Sequence, residues 1–236
     1  MIGNILSLIV LSKEHEQSTR VFLLKTLAMT DTLFLISYIG LIPEDGYGSL
    51  VLEYLNKTAS TLTTWAIVLV TIDRYIHVAK PLRAPVIATM KRMRVAIVML
   101  TIAAIIYNCP HVLKQPKIDR EYHENIHFVV IYECVLDLIF QHGGPIITVT
   151  ILNIKLINSV KQSRIHAEHQ SQESREKRKQ TLTMISILSV FIVCSLTNTS
   201  IRMIYLYESL ANVELGFNYS VMIEKFCLLC NSACNV

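Results

Sequence analysis

Six stretches of this chain, residues 21–42, 50–77, 95–113, 126–160, 181–207 and 217–236, are mostly apolar and long, and more polar segments separate them. A helix needs about 20 predominantly apolar residues to cross a bilayer, where every backbone polar group must be satisfied within the segment. Composition agrees, since 52% of the 236 residues are hydrophobic and only 17% are charged, with a mean hydropathy of +0.45. A soluble domain carries more charge and less apolar surface. Residues 1–12 are apolar but too short to span, and no basic segment precedes them as in a signal peptide. They read as the inner half of a seventh span, and the last span runs to Val236 with no polar stop. The expectation is an all-α membrane protein: one seven-transmembrane helix bundle over 1–236, its first helix truncated and its last cut short, as in a fragment of a larger protein.

Basic residues orient it. Loops carrying Lys13 and Arg20, then Lys80, Arg83, Lys91, Arg92 and Arg94, then Lys161, Arg164, Arg175, Lys177, Arg178 and Lys179 alternate with loops poor in them. The positive-inside rule puts the rich loops in the cytoplasm, hence the N-terminus outside and the C-terminus inside. The formal charge of +4 is then loop charge facing membrane lipid and needs no nucleic-acid partner. The stretch QSRIHAEHQSQESREKRK, of mixed charge and without Pro or Gly, reads as helix extended into solvent. No repeat of matching halves argues for a transporter. No GxSxG elbow, HExxH pair or phosphate loop argues for an enzyme, so no catalytic residue is assigned. The six cysteines lie in or at the edge of spans, where thiols serve as small packing residues. The run CLLCNSAC has no His partner, so neither disulfide nor metal site is expected.

Polar groups inside spans carry more information, because a charge in hydrocarbon costs from about 2.5 kcal/mol upward. Asp31 lies about two turns beyond Lys25 and cannot reach the surface as a lysine can. Asn4, Thr63, Asn231, Ser232 and Asn235 sit at compatible depth in other spans. Such an oxygen-rich set suits a monovalent cation, and equally a hydrogen-bonded knot that pins helices together. In the third span Asn56, Ser60, Thr63, Ile67, Val70 and Arg74 recur at helical spacing and share one face, polar in its outer half. Ser195, Asn198 and Arg202 repeat the pattern in the sixth span; Glu133, Asp137 and Gln141 do so in the fifth, outward of Gly143, Gly144 and Pro145. With Lys57 and Lys225 these residues outline a pocket open to the outside, or else a set of interhelical hydrogen bonds.

The ordered motifs carry a resemblance. Gly3-Asn4, LAMTD around Asp31, DRY at Asp73, Arg74 and Tyr75 followed by KPLRA, Pro145 followed by ILNIKLI, FIVC and NSACN occur in sequence across almost the whole chain. Together they resemble a rhodopsin-like (class A) G-protein-coupled receptor. VAKPLRA, IIYNCPHVL and LNIKLI make it most similar to the invertebrate FMRFamide and related neuropeptide receptors. The resemblance implies a multi-pass plasma-membrane receptor that passes binding of an extracellular peptide to a heterotrimeric G-protein. It further implies that Asp73 holds Arg74 until activation, that Asp31 belongs to a sodium ion site with Thr63, Asn231, Ser232 and Asn235, and that the outer pocket takes a short amidated peptide.

Departures accompany the matches. Ser49 stands where the family's third-span cysteine is expected, the Trp of the fourth span is missing, and Ser195 and Thr197 replace the sixth-span Trp and Pro. Asn235-Val236 replaces Asn-Pro. A decayed or incomplete receptor without signalling activity is therefore the alternative reading, ahead of a transporter. Asp137 has two readings as well: pairing with a cationic ligand side chain, or with Arg202 internally.

Overall fold

The computed structural model describes residues 2–13, 18–40, 47–113 and 135–165, with residues 189, 190, 192, 193, 196, 197, 200 and 204 of the sixth span. Every element among the described residues is helical: α1 (Ile2–Lys13), α2 (Thr19–Gly40), α3 (Tyr47–Ala79), the short α4 (Ala84–Ile87), α5 (Met90–Leu113), a π-helical turn (Leu138–Gly143) and α6 (Gly144–Ile165). Three helical segments are long and apolar enough to cross a membrane: Thr19–Ile39, Val51–Ala79 and Met90–Pro110. They correspond to the second, third and fourth spans. The fourth begins five residues before residue 95, because Thr89 starts the helix there: its hydroxyl accepts the Arg92 backbone N–H at 3.4 Å. The seventh span, and the sixth apart from the residues named, lie outside the described residues.

Polarity is arranged inside out relative to a soluble protein. Ile5, Leu6, Ile9, Met29, Leu33, Ile36, Val98, Met99, Ile102, Ile106, Ile147 and Ile151 are exposed, while Asn4, Asp31, Asp73, Asn108 and Asn153 are buried. Apolar side chains facing outward are matched by a hydrocarbon solvent, and polar ones must find partners within the bundle. Hydroxyls solve that problem locally. Thr26, Thr32, Thr61, Thr71, Thr101 and Thr148 each donate to the carbonyl four residues back in their own helix. Thr197, which stands where the family has proline, does the same to Val193 at 3.0 Å.

α3 is the axis. At 1.5 Å per residue its 33 residues run about 50 Å, well beyond a hydrocarbon core of about 30 Å. It packs against α2, α5 and α6. Phe34, Leu35 and Ala59 form an outer apolar layer. Leu27, Ala66, Ile67, Val68 and Val149 form a second layer, and Leu23, Val70, Ala88 and Met93 a third at the inner end. The connection after α3 is folded rather than loose. Lys80 and Arg83 close a turn with backbone bonds, and Ala84 and Ala88 are buried. The Arg92 guanidinium donates to the carbonyls of Val86 and Ile87 at 2.8 and 3.4 Å.

The fifth span departs from the continuous α-helix expected over 126–160. Around Leu138–Gly143 the winding is π, and the Gly144 N–H bonds five residues back, to Ile139 O. The sequence HGGP explains why this is tolerated. A β-carbon on Gly143 would lie 2.9 Å from Leu138 O, and one on Gly144 would lie 2.8 Å from Ile139 O, too close for any other residue. Continuing the same pattern, residue 145 would serve Phe140 O, but proline has no N–H. The indole Nε1–H of Trp65 on α3 serves that carbonyl instead, at 3.2 Å. The helix then continues to Ile165, past residue 160. Gly144→Ala is expected to destabilise the detergent-solubilised protein by about 1–3 kcal/mol, the usual overpacking cost. A fall in its thermal midpoint measures this, and an unchanged midpoint means that the turn rewinds to α without cost.

Candidate functional site

Three polar layers lie along α3, and the sequence-predicted residues divide among them. At the inner end Asp73 is buried, with 2% of its surface exposed. Its Oδ1 accepts the Thr19 hydroxyl of α2 at 2.9 Å and lies 3.6 Å from His77 Nδ1, one turn along. The same His77 nitrogen is 2.8 Å from the Asp73 carbonyl, which requires Nδ1 to carry the proton. No ion pair joins Arg74 to Asp73, and the Arg74 Nε and Nη2 are buried without an acceptor. The acid that the resemblance assigns to Arg74 thus accepts a hydrogen bond from Thr19, while the Nδ1–H of His77 is spent on the Asp73 backbone carbonyl. Tyr75 follows, half-buried. Just beyond, Leu82 is 94% exposed between the exposed Lys80 and Arg83.

In the middle layer Asp31 is fully buried and its Oδ1 accepts the Thr63 hydroxyl at 2.8 Å. Thr63 Oγ1 also lies 3.2 Å from Thr30 Oγ1, whose own proton goes to Leu27 O. Thr63 has one proton for two acceptors, and the carboxylate is the stronger. Asn4 of α1 is 1% exposed, and its Nδ2 has no partner. Asp31 and Thr63 offer oxygen donors of the kind a hard monovalent cation prefers. Asn231, Ser232 and Asn235 lie outside the described residues.

The outer layer divides between two neighbours. Asn56 Nδ2 donates to Phe34 O at 3.1 Å and to Ser37 Oγ at 3.2 Å, both on α2. Ser60 turns the other way and accepts from Gln141 Nε2 at 3.2 Å. Lys57, beside Asn56, is half-buried. The π turn supplies the rest. Winding with backbone bonds between residues i and i+5 brings their side chains nearer than an α-helix does, and Asp137 Oδ2 lies 3.6 Å from His142 Nε2, both largely buried. A strict α-helix would part them, so the spacing of Asp137 and Gln141 did not reveal His142. Glu133, Ser195, Asn198, Arg202 and Lys225 lie outside the described residues. So do all the cysteines but Cys109, an exposed free thiol.

Sequence reasoning missed Thr19, Trp65, His77, Asn108 and His142. Asn108 lies buried in α5 and donates to Thr61 Oγ1 at 3.1 Å and to Ala104 O at 2.8 Å; a lone amide in an apolar span was its visible signal. Thr19 had none, since a threonine at a span's edge is unremarkable.

This arrangement, a buried carboxylate on the second span, an acid and arginine closing the third and a proline beside a polar fifth-span turn, is that of a seven-transmembrane receptor. The model of the 7-transmembrane receptor (rhodopsin family) matches residues 3–235, and the chain belongs to that family. The FMRFamide receptor of Drosophila melanogaster is 28% identical over 227 residues, a match covering 81% of this chain and 41% of that protein. The chain therefore spans about two fifths of the length of this curated relative.

Thr63→Val removes a donor from a buried carboxylate while keeping shape. It should cost about 1–3 kcal/mol, the desolvation left uncompensated, seen as a lower thermal midpoint. Thr63→Ser should retain most of the stability.

Proposed function

We propose that the chain is the membrane-spanning part of a neuropeptide receptor of the plasma membrane that passes extracellular peptide binding to a cytoplasmic heterotrimeric G-protein. The observation that carries this is the state of Arg74. Its guanidinium sits half-buried at the inner end of α3, with Nε and Nη2 lacking acceptors, while the Asp73 carboxylate accepts from Thr19. A buried cationic donor without an acceptor is costly, and an incoming carbonyl or carboxylate removes that cost. Exposed Leu82 offers the same partner an apolar contact. Lys80, Arg83, Lys91, Arg92 and Arg94 crowd this end, which supports a cytoplasmic placement, with the N-terminus outside and the C-terminus inside.

The outer layer supports the ligand end. Gln141 meets Ser60 where α3 packs against the π turn, and Asp137 lies against His142 in the same turn, with Asn56 and Lys57 nearby on α3. Glu133, Ser195, Asn198, Arg202 and Lys225 complete the pocket in this reading. Asp137 pairs the cationic side chain of a short peptide, the FMRFamide receptor relative suggesting one that ends in Arg-Phe-amide. A sodium ion held by Asp31, Thr63 and Asn4, with Asn231, Ser232 and Asn235, would neutralise the buried carboxylate between the two ends.

Three measurements test the reading. Arg74→Ala should abolish agonist-dependent nucleotide exchange on the G-protein while peptide binding survives; undiminished exchange sinks the effector assignment. Asp137→Asn should weaken an arginine-containing peptide by about 2–5 kcal/mol, the cost of breaking a buried charge pair, and spare its alanine analogue; equal losses refute the pairing. Asp31→Asn should remove the sodium dependence of agonist affinity, whereas a sodium response intact in that variant rules out the cation site.

A further inference from the structure

The π turn puts side by side two groups that an α-helix would separate. Five residues turn through about 500° of α-helix, so side chains 137 and 142 would point about 140° apart. Here Asp137 Oδ2 and His142 Nε2 lie 3.6 Å apart, with 17% and 9% of their side chains exposed. Gly143 and Gly144 permit the winding, since a β-carbon on either would meet the carbonyl of Leu138 or Ile139. A contact of 3.6 Å is longer than a hydrogen bond, so neutral His142 touches the carboxylate without holding it. An imidazolium in the same place forms an ion pair, which water screens little at such burial.

Among the described residues around the turn, His142 is the group that changes charge near neutral pH. Histidine titrates between about pH 5 and 8, a range through which lysine and arginine stay charged, tyrosine stays neutral and ordinary carboxylates are ionised. On α3, Ser60 takes Gln141; half-buried Lys57 stands one turn outward of Ser60, and half-buried Glu53 one turn further. On α5, Tyr107 packs against Phe140. From Gly144 to Ile154, α6 carries no titratable residue, and the described residues of the sixth span carry none. Glu133 and Arg202 lie outside the described residues.

We infer that His142 is a proton-operated competitor for the ligand's cation. Protonated, it pairs with Asp137 and denies that carboxylate to an arginine of the peptide; neutral, it leaves Asp137 to the ligand. This rests on the proposed reading of Asp137 as the ligand's anionic partner, and it makes His142 a positioning residue that acts on the peptide through Asp137. Acid therefore weakens an arginine-containing peptide, because the proton must leave His142 before the guanidinium can enter. One proton released per ligand bound changes affinity by at most about tenfold per pH unit. The ion pair forms only with the imidazolium and spans the π turn, so its contribution to stability is present in acid and fades as the pH rises.

The test is binding of an N-acetylated synthetic peptide ending in Arg-Phe-amide to the full chain in membranes, between about pH 7.5 and about pH 5.5. An analogue with neutral citrulline in place of the arginine is measured beside it. Affinity for the arginine peptide should fall about tenfold across that range, while the citrulline peptide gives a flat profile. His142→Gln, which keeps an N–H donor but cannot charge, should bind the arginine peptide equally at both ends. A pH dependence that survives in His142→Gln overturns the inference, as does a flat profile in the unmodified chain. The pair is also read without peptide: as the pH falls, the thermal midpoint of the unmodified protein should rise relative to that of His142→Gln and of Asp137→Asn, and parallel curves overturn the inference. If Asp137→Asn binds both peptides like the unmodified chain at about pH 7.5, the ligand reading of Asp137 fails and the competition falls with it. A lost arginine preference in Asp137→Asn, beside a pH profile that ignores His142, refutes the competition alone. Should His142→Gln fail to fold, the difference between the arginine and citrulline profiles in the unmodified chain decides.

Discussion

Hydrocarbon solvates no polar group, and the helices meet that constraint through one shared partner. Each side-chain bond described above between two of the long helices has an end on α3. Asp73 takes Thr19, Thr63 serves Asp31, Asn56 reaches α2, Thr61 takes Asn108, Ser60 takes Gln141, and Trp65 completes the backbone of the fifth span. Apolar packing alone does not favour one helix arrangement over another in lipid, because lipid tails are as apolar as leucine. Hydrogen bonds that can be made only in one register supply the specificity.

The same helix separates the two ends that a receptor must connect. Between the Asp31 layer and the Asp73 layer lie Leu27, Ile67, Val68 and Val149, then Leu23 and Val70. These dry layers keep the buried carboxylates apart electrostatically and mechanically linked, since packed side chains shift between discrete arrangements rather than deform smoothly. Asn153 lies one turn inward of Val149 on α6 and keeps a buried Oδ1 with no partner. Together with the Arg74 guanidinium it leaves hydrogen-bonding capacity unmet at the inner end, as suits a surface that forms new contacts.

Much of this was legible in the residues. Apolar run lengths marked where the three long apolar helices α2, α3 and α5 lie. The spacing of Asn56, Ser60 and Thr63 identified a real face of α3, but not that it serves two neighbours: Asn56 and Thr63 turn to α2, Ser60 to the π turn. What the pattern could not carry was winding. HGGP announces an interruption; whether the chain kinks, breaks or adds a residue is decided by Trp65, 75 positions away in sequence. His77 was hidden for a different reason. It follows the DRY motif by two residues, and only the helical i, i+4 spacing brings it over Asp73, where its Nδ1–H meets the Asp73 carbonyl.

The π turn also bears on how such a chain can vary in length. It holds one residue more than an α-turn needs, so loss of a single residue within Leu138–Gly143 would leave an unbroken α-helix. Everything outward of it, Asp137 included, would rotate by about 100° relative to Asn153. In a continuous helix a deletion of one residue misaligns every partner downstream. Here the slack is already wound into the backbone, between the turn carrying Asp137 and the helix that continues from Gly144, so the outer face can be re-aimed while the inner one keeps its place.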